Sequence, residues 1–192
     1  MSNRIRILKT DILSQSKYTL KKVTYENVNK DGTGETLTRD VYDRGDAAAI
    51  LLYNTATKTV LLTKQFRLPS FLNGNADGML IEVCAGMLDE DDAEACARRE
   101  AEEETGYKIS NLKKAFEAYA SPGALTERLH CFVAAYTLDM KVGKGGGLAA
   151  KGEQIELLEP TLDAALRMIE TGEIRDAKTI MLLQYAKLNA LV

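Results

Sequence analysis

Arg99-Glu100-Ala101-Glu102-Glu103-Glu104-Thr105-Gly106 is the segment that most restricts what this chain can become. Asp92 to Thr105 is rich in Ala, Arg and Glu, all good helix formers, and Gly106 stands where a left-handed C-terminal cap belongs. On that helix Glu100 and Glu104 are i and i+4, with Glu103 on the same face. Three carboxylates on one turn repel one another. They also lie at the end of the helix where the macrodipole disfavours negative charge, by about 0.3–1 kcal/mol each. Two readings answer this conflict. In one, Arg98 with Glu102 and Arg99 with Glu103 form i,i+4 pairs on a solvated surface helix. In the other, the acids gather a hard cation such as Mg²⁺, which takes oxygen ligands and is satisfied by one or two carboxylates plus phosphate oxygens.

The surrounding order favours the second reading. Met79 to Ala85 is an apolar strand candidate that ends at Gly86, and the acidic helix follows. Ala47–Tyr53 and Val60–Phe66 predict a hairpin, and Phe116–Ala120 and Leu129–Tyr136 predict two more strands about Ser121-Pro122-Gly123. Leu162, Ala165, Leu166 and Ile169 mark a helix ending at Gly172, and Thr179–Leu191 predicts a last amphipathic helix. Upstream, Ile5–Ile12, Leu20–Val28 and Glu35–Tyr42, with a turn at Asp31-Gly32, predict a hairpin or three-stranded antiparallel sheet. Interleaved strands and helices after residue 45 indicate a layered α/β domain. Lys144-Gly145-Gly146-Gly147 predicts a mobile loop, because ordering glycine costs backbone entropy.

Composition narrows the chemistry. At 45% hydrophobic and 28% charged, the 192 residues suit one soluble domain with a small addition. A net charge of −3 leaves no basic footprint for nucleic acid. No run is long and apolar enough for a membrane span, and MSNRIRILKT has no apolar core of a signal peptide, so a cytoplasmic location is expected. Cys84, Cys96 and Cys131 have no metal-ligand spacing and are expected as buried reduced thiols. His130 is the single histidine, so any Ser-His-Asp or Cys-His machinery would rest on it alone. On an apolar strand it is expected in the core.

From Gly86 to Tyr107 the sequence resembles the Nudix box, G-x5-E-x7-R-E-U-x-E-E-x-G-U with U apolar. Arg99, Glu100, Ala101, Glu103, Glu104, Gly106 and Tyr107 match without a gap. The loop after Gly86 is one residue shorter than the pattern, and Asp91 or Asp92 stands for its first glutamate. The resemblance implies a Nudix α/β/α sandwich with a mixed sheet (46–192), preceded by a small antiparallel β subdomain (1–45). It implies that Glu100 and Glu104 hold Mg²⁺, or Mn²⁺ in its place, together with the carbonyl of Ala85. Arg99 would orient one of the glutamates, with Glu103 in support.

Over essentially its whole length the chain is similar to the NudK-type GDP-mannose pyrophosphatases of that family. The stretches responsible include Val41–Gly45, Gln65-Phe66-Arg67, Phe71–Asn75, Cys84-Ala85-Gly86, Ser121-Pro122-Gly123 with Thr126-Glu127, and Thr171–Asp176 with Lys178-Thr179. The similarity implies a homodimer formed through an exchanged N-terminal β unit, with Arg39 reaching substrate across the dimer. Arg67 would contact phosphates, and Gly86, Glu127 and Asp176 would line the substrate pocket. Glu153, after the triple glycine, would complete the metal site or act as base, with Glu156 as the weaker alternative. Plain structural roles stand beside these: Arg39 and Arg67 as strand-edge charges, Asp176 as a helix cap, Glu127 paired with Arg128. The implied reaction is hydrolysis of a nucleoside diphosphate sugar, GDP-mannose first. An ADP-ribose or ADP-sugar pyrophosphatase and a non-catalytic nucleotide-sugar sensor are the alternatives.

Overall fold

A computed structural model describes residues 4–29, 31–148 and 152–192. They form two compact units, one comprising the described residues to Asp46 together with Tyr119–Arg128, the other Ala47–Ala118 with Leu129–Val192.

The first unit is built on strands β1 (Ile5–Gln15), β2 (Thr19–Val28) and β3 (Gly34–Asp43), antiparallel in that order. The β2–β3 register runs unbroken from Thr19↔Asp43 to Val28↔Gly34. The connecting turn follows from Asp31 and Gly32. The Asp31 carboxylate accepts from Thr33 N at 3.0 Å and Thr33 Oγ1 at 2.7 Å, and Gly32 takes φ 84°. The segment 119–128 joins this unit through Tyr42, whose N–H donates to Ala124 O at 2.8 Å and whose carbonyl accepts from Thr126 N at 3.2 Å. A linear boundary at residue 45 does not anticipate that addition. It is made by one long-range strand contact, which hydropathy does not mark.

In the second unit the sheet runs β10 (Glu156–Leu158), β5 (Thr59–Phe66), β4 (Ala47–Asn54), β9 (Arg128–Ala135), β8 (Lys113–Tyr119). Strand β4 is parallel to β9 and antiparallel to β5, so the sheet is mixed. Every β4 residue but Tyr53 is buried, and its alternation separates two cores. Ala47, Ala49 and Leu51 pack with Leu162 and Ala165 of α3 (Leu162–Glu170) and with Leu182, Leu183 and Ala186 of α4 (Ala177–Leu188). Ala48, Ile50 and Leu52 pack with Cys96, Ala97 and Ala101 of α2 (Ala93–Thr105). This is the layered α/β/α sandwich the sequence leads one to expect. All three cysteines are buried and free. Among the described residues no helix is long and apolar enough to cross a membrane.

Two elements differ from the sequence reading. The expected strand Met79–Ala85 is two: β6 (Met79–Glu82) pairs with β5, and β7 (Cys84–Met87) pairs with β4. Val83 is the joint, and its N–H donates to Thr179 Oγ1 at 2.8 Å on α4. The run is apolar throughout, so composition gives no sign that it changes neighbours. The short helix α1 (Leu68–Leu72) also has too few residues to show a period.

The triple glycine is the other difference. Gly145, Gly146 and Gly147 all have positive φ, at 68°, 100° and 76°. Gly146 N donates to Glu104 O at 2.8 Å and Gly147 N to Glu103 O at 3.2 Å, while Val142 N and Gly143 N donate to Gly106 O. Where glycine content alone predicts a mobile loop, the segment is hydrogen-bonded to the last turn of α2 and satisfies carbonyls that a helix end leaves open. A Cβ on Gly145 would lie 2.5 Å from the Thr105 carbonyl carbon. Here glycine permits a close backbone approach.

Leu51 is fully buried at the centre of β4. Leu51→Ala is expected to lower unfolding free energy by about 2–5 kcal/mol in urea titrations. A loss below about 1 kcal/mol would contradict the packing described.

Candidate active site

The carboxylate cluster stands where β7 hands the chain to α2. Asp91 and Asp92, alternatives for one position in sequence, divide the work. Asp92 caps α2, its Oδ1 accepting from Ala95 N at 2.8 Å. Asp91 accepts from Arg99 Nε at 3.0 Å. Arg99 Nη1 then reaches Glu100 Oε1 at 2.6 Å, and Glu103 Oε1 only at 3.8 Å. The arginine therefore orients Glu100 more closely than Glu103, the glutamate that i,i+4 spacing favours. Burial works against its charge, but Asp91 and Glu100 outweigh it and hold the guanidinium above its usual pKa.

Gly86 is tied to Glu100 by space. A Cβ at this position would lie 2.0 Å from Glu100 Oε1, so the carboxylate occupies the volume a side chain would fill. Glu104 is deeper, 4% exposed, and its Oε2 has no hydrogen-bond partner among the described residues. Desolvation first, then the neighbouring Glu100 charge, push its carboxyl up to about 8. A hydrogen bond from the Cys84 thiol and the charge of Arg67 act the other way. The Cys84 thiol itself is driven well up, by burial and then by Glu104, so it stays neutral.

This arrangement fits a divalent cation. It offers an orphaned buried carboxylate oxygen, a second carboxylate beside it, and a hard-oxygen donor set. Ala85 lies between Cys84 and Gly86 on β7 and is paired with Ala49. Among the described residues no three His, Cys, Asp or Glu side chains close a cage by themselves.

On the other side lies an ion network that sequence reasoning only half found. Arg67, at the start of α1, donates from Nε to Glu82 Oε2 at 2.6 Å, and Lys178 Nζ donates to Glu82 Oε1 at 2.6 Å. Lys178 also meets Asp176 Oδ1 at 3.0 Å. Burial disfavours both cations, but Glu82 outweighs it and keeps them charged, and Glu104 and Asp176 add to the effect on Arg67. The other oxygen of Asp176 caps α4, accepting from Thr179 N at 3.0 Å and Oγ1 at 2.6 Å. Asp176, expected in the substrate pocket, thus has both oxygens engaged within the protein, and the adjacent Lys178 is the charged group that looks onto Glu82. Sequence reading missed Glu82 and Lys178. Their signal was a glutamate at the end of an apolar strand, where an unpaired charge has no place.

Glu153 lies on the segment after the triple glycine, its Oε2 accepting from Leu148 N at 2.9 Å. The same segment is pinned by Gly146 and Gly147 to the carbonyls of Glu104 and Glu103, which brings Glu153 to the end of α2. Glu156 opens β10, exposed and opposite Lys64, and belongs to the sheet edge. Arg39 and Glu127 are in the first unit. Arg39 lines a cavity of about 450 Å³ with Ile5, Ile7, Val23, Tyr25 and the 122–126 segment. Glu127 is buried and pairs with Arg44 at 3.4 Å rather than with Arg128, which bonds Asp46. His130, largely buried, faces Glu117 across the sheet at 3.2 Å.

Comparison with known proteins agrees with this geometry. Residues 43–183 match the NUDIX domain model, and residues 4–42 match the GDP-mannose pyrophosphatase NudK N-terminal domain. The chain is 48% identical over 192 residues, 100% of both chains, to the GDP-mannose pyrophosphatases of Shigella dysenteriae serotype 1 (strain Sd197) and of Escherichia coli O157:H7. A solved structure described as an ADP compounds hydrolase superposes with a TM-score of 0.73 at 16% identity, covering 96% of this chain and 92% of that one. At that identity the likeness concerns the fold.

Gly86→Ala is expected to leave the fold intact but drive the Glu100 carboxylate from its place. Mg²⁺ affinity, followed by calorimetric titration, should fall about tenfold or more. Unchanged affinity would remove Glu100 from the cation site.

Proposed function

The chain belongs to the NUDIX family, and from that premise we propose that it hydrolyses the pyrophosphate bond of GDP-mannose to GMP and mannose 1-phosphate, with Mg²⁺ as cofactor. As a member of this family related over its full length to GDP-mannose pyrophosphatases, it is a Nudix hydrolase acting on nucleotide sugars. The observation that carries the reading is Glu104: a buried carboxylate with an orphaned oxygen, beside Glu100, on the turn where the family motif lies.

Glu100, Glu104 and the Ala85 carbonyl would hold the cation. When bound, it would neutralise pyrophosphate charge and lower the pKa of an attacking water. Arg99 would hold the Glu100 carboxylate in place through its 2.6 Å contact, and Glu103 would add negative charge on the same face. Arg67 and Lys178 place positive charge beside the carboxylates, where a diphosphate needs it. Glu153 would take a proton from the water. Its segment is pinned to the carbonyls of Glu103 and Glu104, so it keeps step with the metal-binding turn.

The first 45 residues are proposed as the dimer-forming unit, supported by their likeness to the NudK N-terminal domain. In that assembly Arg39 would serve the partner's substrate, and Glu127 would line a pocket. A cytoplasmic enzyme acting on a soluble nucleotide sugar, without nucleic acid or membrane as partner, completes the reading.

A side-by-side assay of GDP-mannose, ADP-ribose and NADH is expected to give the highest kcat/KM with GDP-mannose. A higher value for either adenine compound would overturn the assignment. Glu104→Gln should lower kcat by about 10²–10³-fold, the scale of several kcal/mol of lost transition-state stabilisation, without a matching loss of Tm.

The Glu104 carboxyl also sets a pH dependence. With its folded pKa at about 8, above the ordinary 4.5, the site is protonated at neutral pH and a cation must displace that proton. Mg²⁺ affinity should therefore rise with pH from 6 to 8, by up to about tenfold per unit, and level off above. The same shift makes the metal-free protein less stable as pH climbs from about 4.5 to about 8, because the unfolded chain gives up the proton first. A flat Mg²⁺ affinity between pH 6 and 8 would show that Glu104 is not the displaced acid.

A further inference from the structure

Glu82 is 3% exposed at the end of β6. One oxygen takes Arg67 Nε and the other takes Lys178 Nζ, both at 2.6 Å. A buried carboxylate is costly unless paired, and here two cations offset that cost. The pairing is unequal in what it leaves free. Lys178 is enclosed and also tied to Asp176, whereas the Arg67 side chain is 39% exposed and bonded to Glu82 through Nε only. Its terminal Nη groups carry no hydrogen bond among the described residues.

Arg67 has a second attraction. Glu104 and Asp176 both stabilise its charge, and Arg67 in turn acts on Glu104, whose Oε2 lacks a partner. An arginine free to turn would complete that oxygen with a charge-assisted hydrogen bond. It would then occupy the place a divalent cation needs. Instead Arg67 Nε is bonded to Glu82 Oε2 at 2.6 Å, and Glu104 Oε2 is left without a partner among the described residues.

We propose that Glu82 is a positioning residue that holds Arg67 away from Glu104, so that one carboxylate keeps the cation site open while presenting the arginine fork to a diphosphate. This rests on the cation-site reading given above. Removing Glu82 would turn Arg67 from a substrate contact into an internal competitor for the metal ligand. A merely structural ion pair would have no such effect.

The test is a double-mutant cycle read by Mg²⁺ calorimetry on the full chain, with kcat and KM measured in parallel. Glu82→Gln is expected to weaken Mg²⁺ binding about tenfold or more and to raise KM. Arg67→Ala should leave Mg²⁺ affinity unchanged or tighter. In the double variant, affinity should return to within about threefold of Arg67→Ala, because the competitor is gone. Glu82→Asp, which keeps the charge but shortens the reach, should fall between wild type and Glu82→Gln. Wild-type Mg²⁺ affinity in Glu82→Gln overturns the proposal, as does an equal loss in both backgrounds. It is also overturned if neither Glu82 variant folds, since the carboxylate is then structural, or if the wild-type chain binds no Mg²⁺. The Mg²⁺ readings need no nucleotide sugar. If GDP-mannose is not hydrolysed but the cycle behaves as expected, the substrate assignment fails and the role of Glu82 stands.

Discussion

Two carboxylates are held out of water on one turn of a helix, and the second unit is arranged about their mutual repulsion. Glu100 and Glu104 share a face of α2, and Glu104 is nine-tenths or more buried, so neither solvent nor distance relieves the conflict. Each neighbouring feature removes a part of it. Arg99 neutralises Glu100 and is itself held by Asp91. The Cys84 thiol beside Glu104 stays protonated and adds no charge. Gly86 gives up a side chain so that Glu100 has somewhere to go. The raised Glu104 carboxyl reflects what is left, and on the proposed function a divalent cation would take the place of its proton.

The glycines after residue 142 belong to the same account. Negative side chains at the C-terminus of a helix add to the exposed carbonyl dipoles there. Gly143, Gly146 and Gly147 donate their N–H groups to the carbonyls of Gly106, Glu104 and Glu103, which lessens that burden. On the proposed function the same contacts would bring Glu153 toward the site. The segment ends the helix, and its glycines are needed because a Cβ at Gly145 would meet the Thr105 backbone.

Much of this could be read from residue order. The strand-glycine-helix-glycine sequence located the carboxylate turn, because spacing and charge there are local. The split of Met79–Ala85 into two strands was not legible, since an unbroken apolar run hides a change of partner. The fate of Asp176 turned on whether its oxygens face a pocket or Thr179, and a capping position satisfies either reading in sequence. Glu82 and Lys178 stand 96 residues apart, a separation over which single-sequence pattern gives no contact. The joining of 119–128 to the first unit was hidden for the same reason.

The joint at Val83 explains why these distant residues meet. A strand that leaves β5 for β4 must give up a ladder bond at the change, and here the N–H of Val83 goes to Thr179 on α4. That bond fixes the first turn of α4 against the strand switch, and Lys178, one residue earlier, is set down on Glu82, one residue before Val83. Two residues after Val83 comes Ala85, and three after it Gly86, beneath Glu100. The backbone discontinuity therefore places Ala85, whose carbonyl is proposed for the cation, on one side and the Arg67–Glu82–Lys178 network on the other. A diphosphate requires both within its own length, a metal for its anionic oxygens and fixed cations for the charge that develops on cleavage. A continuous strand from Met79 to Met87 would keep a single neighbour and could not serve both. The irregularity that sequence pattern cannot see sets the carboxylate turn and the ion network on either side of Val83, where the proposed diphosphate substrate would need both.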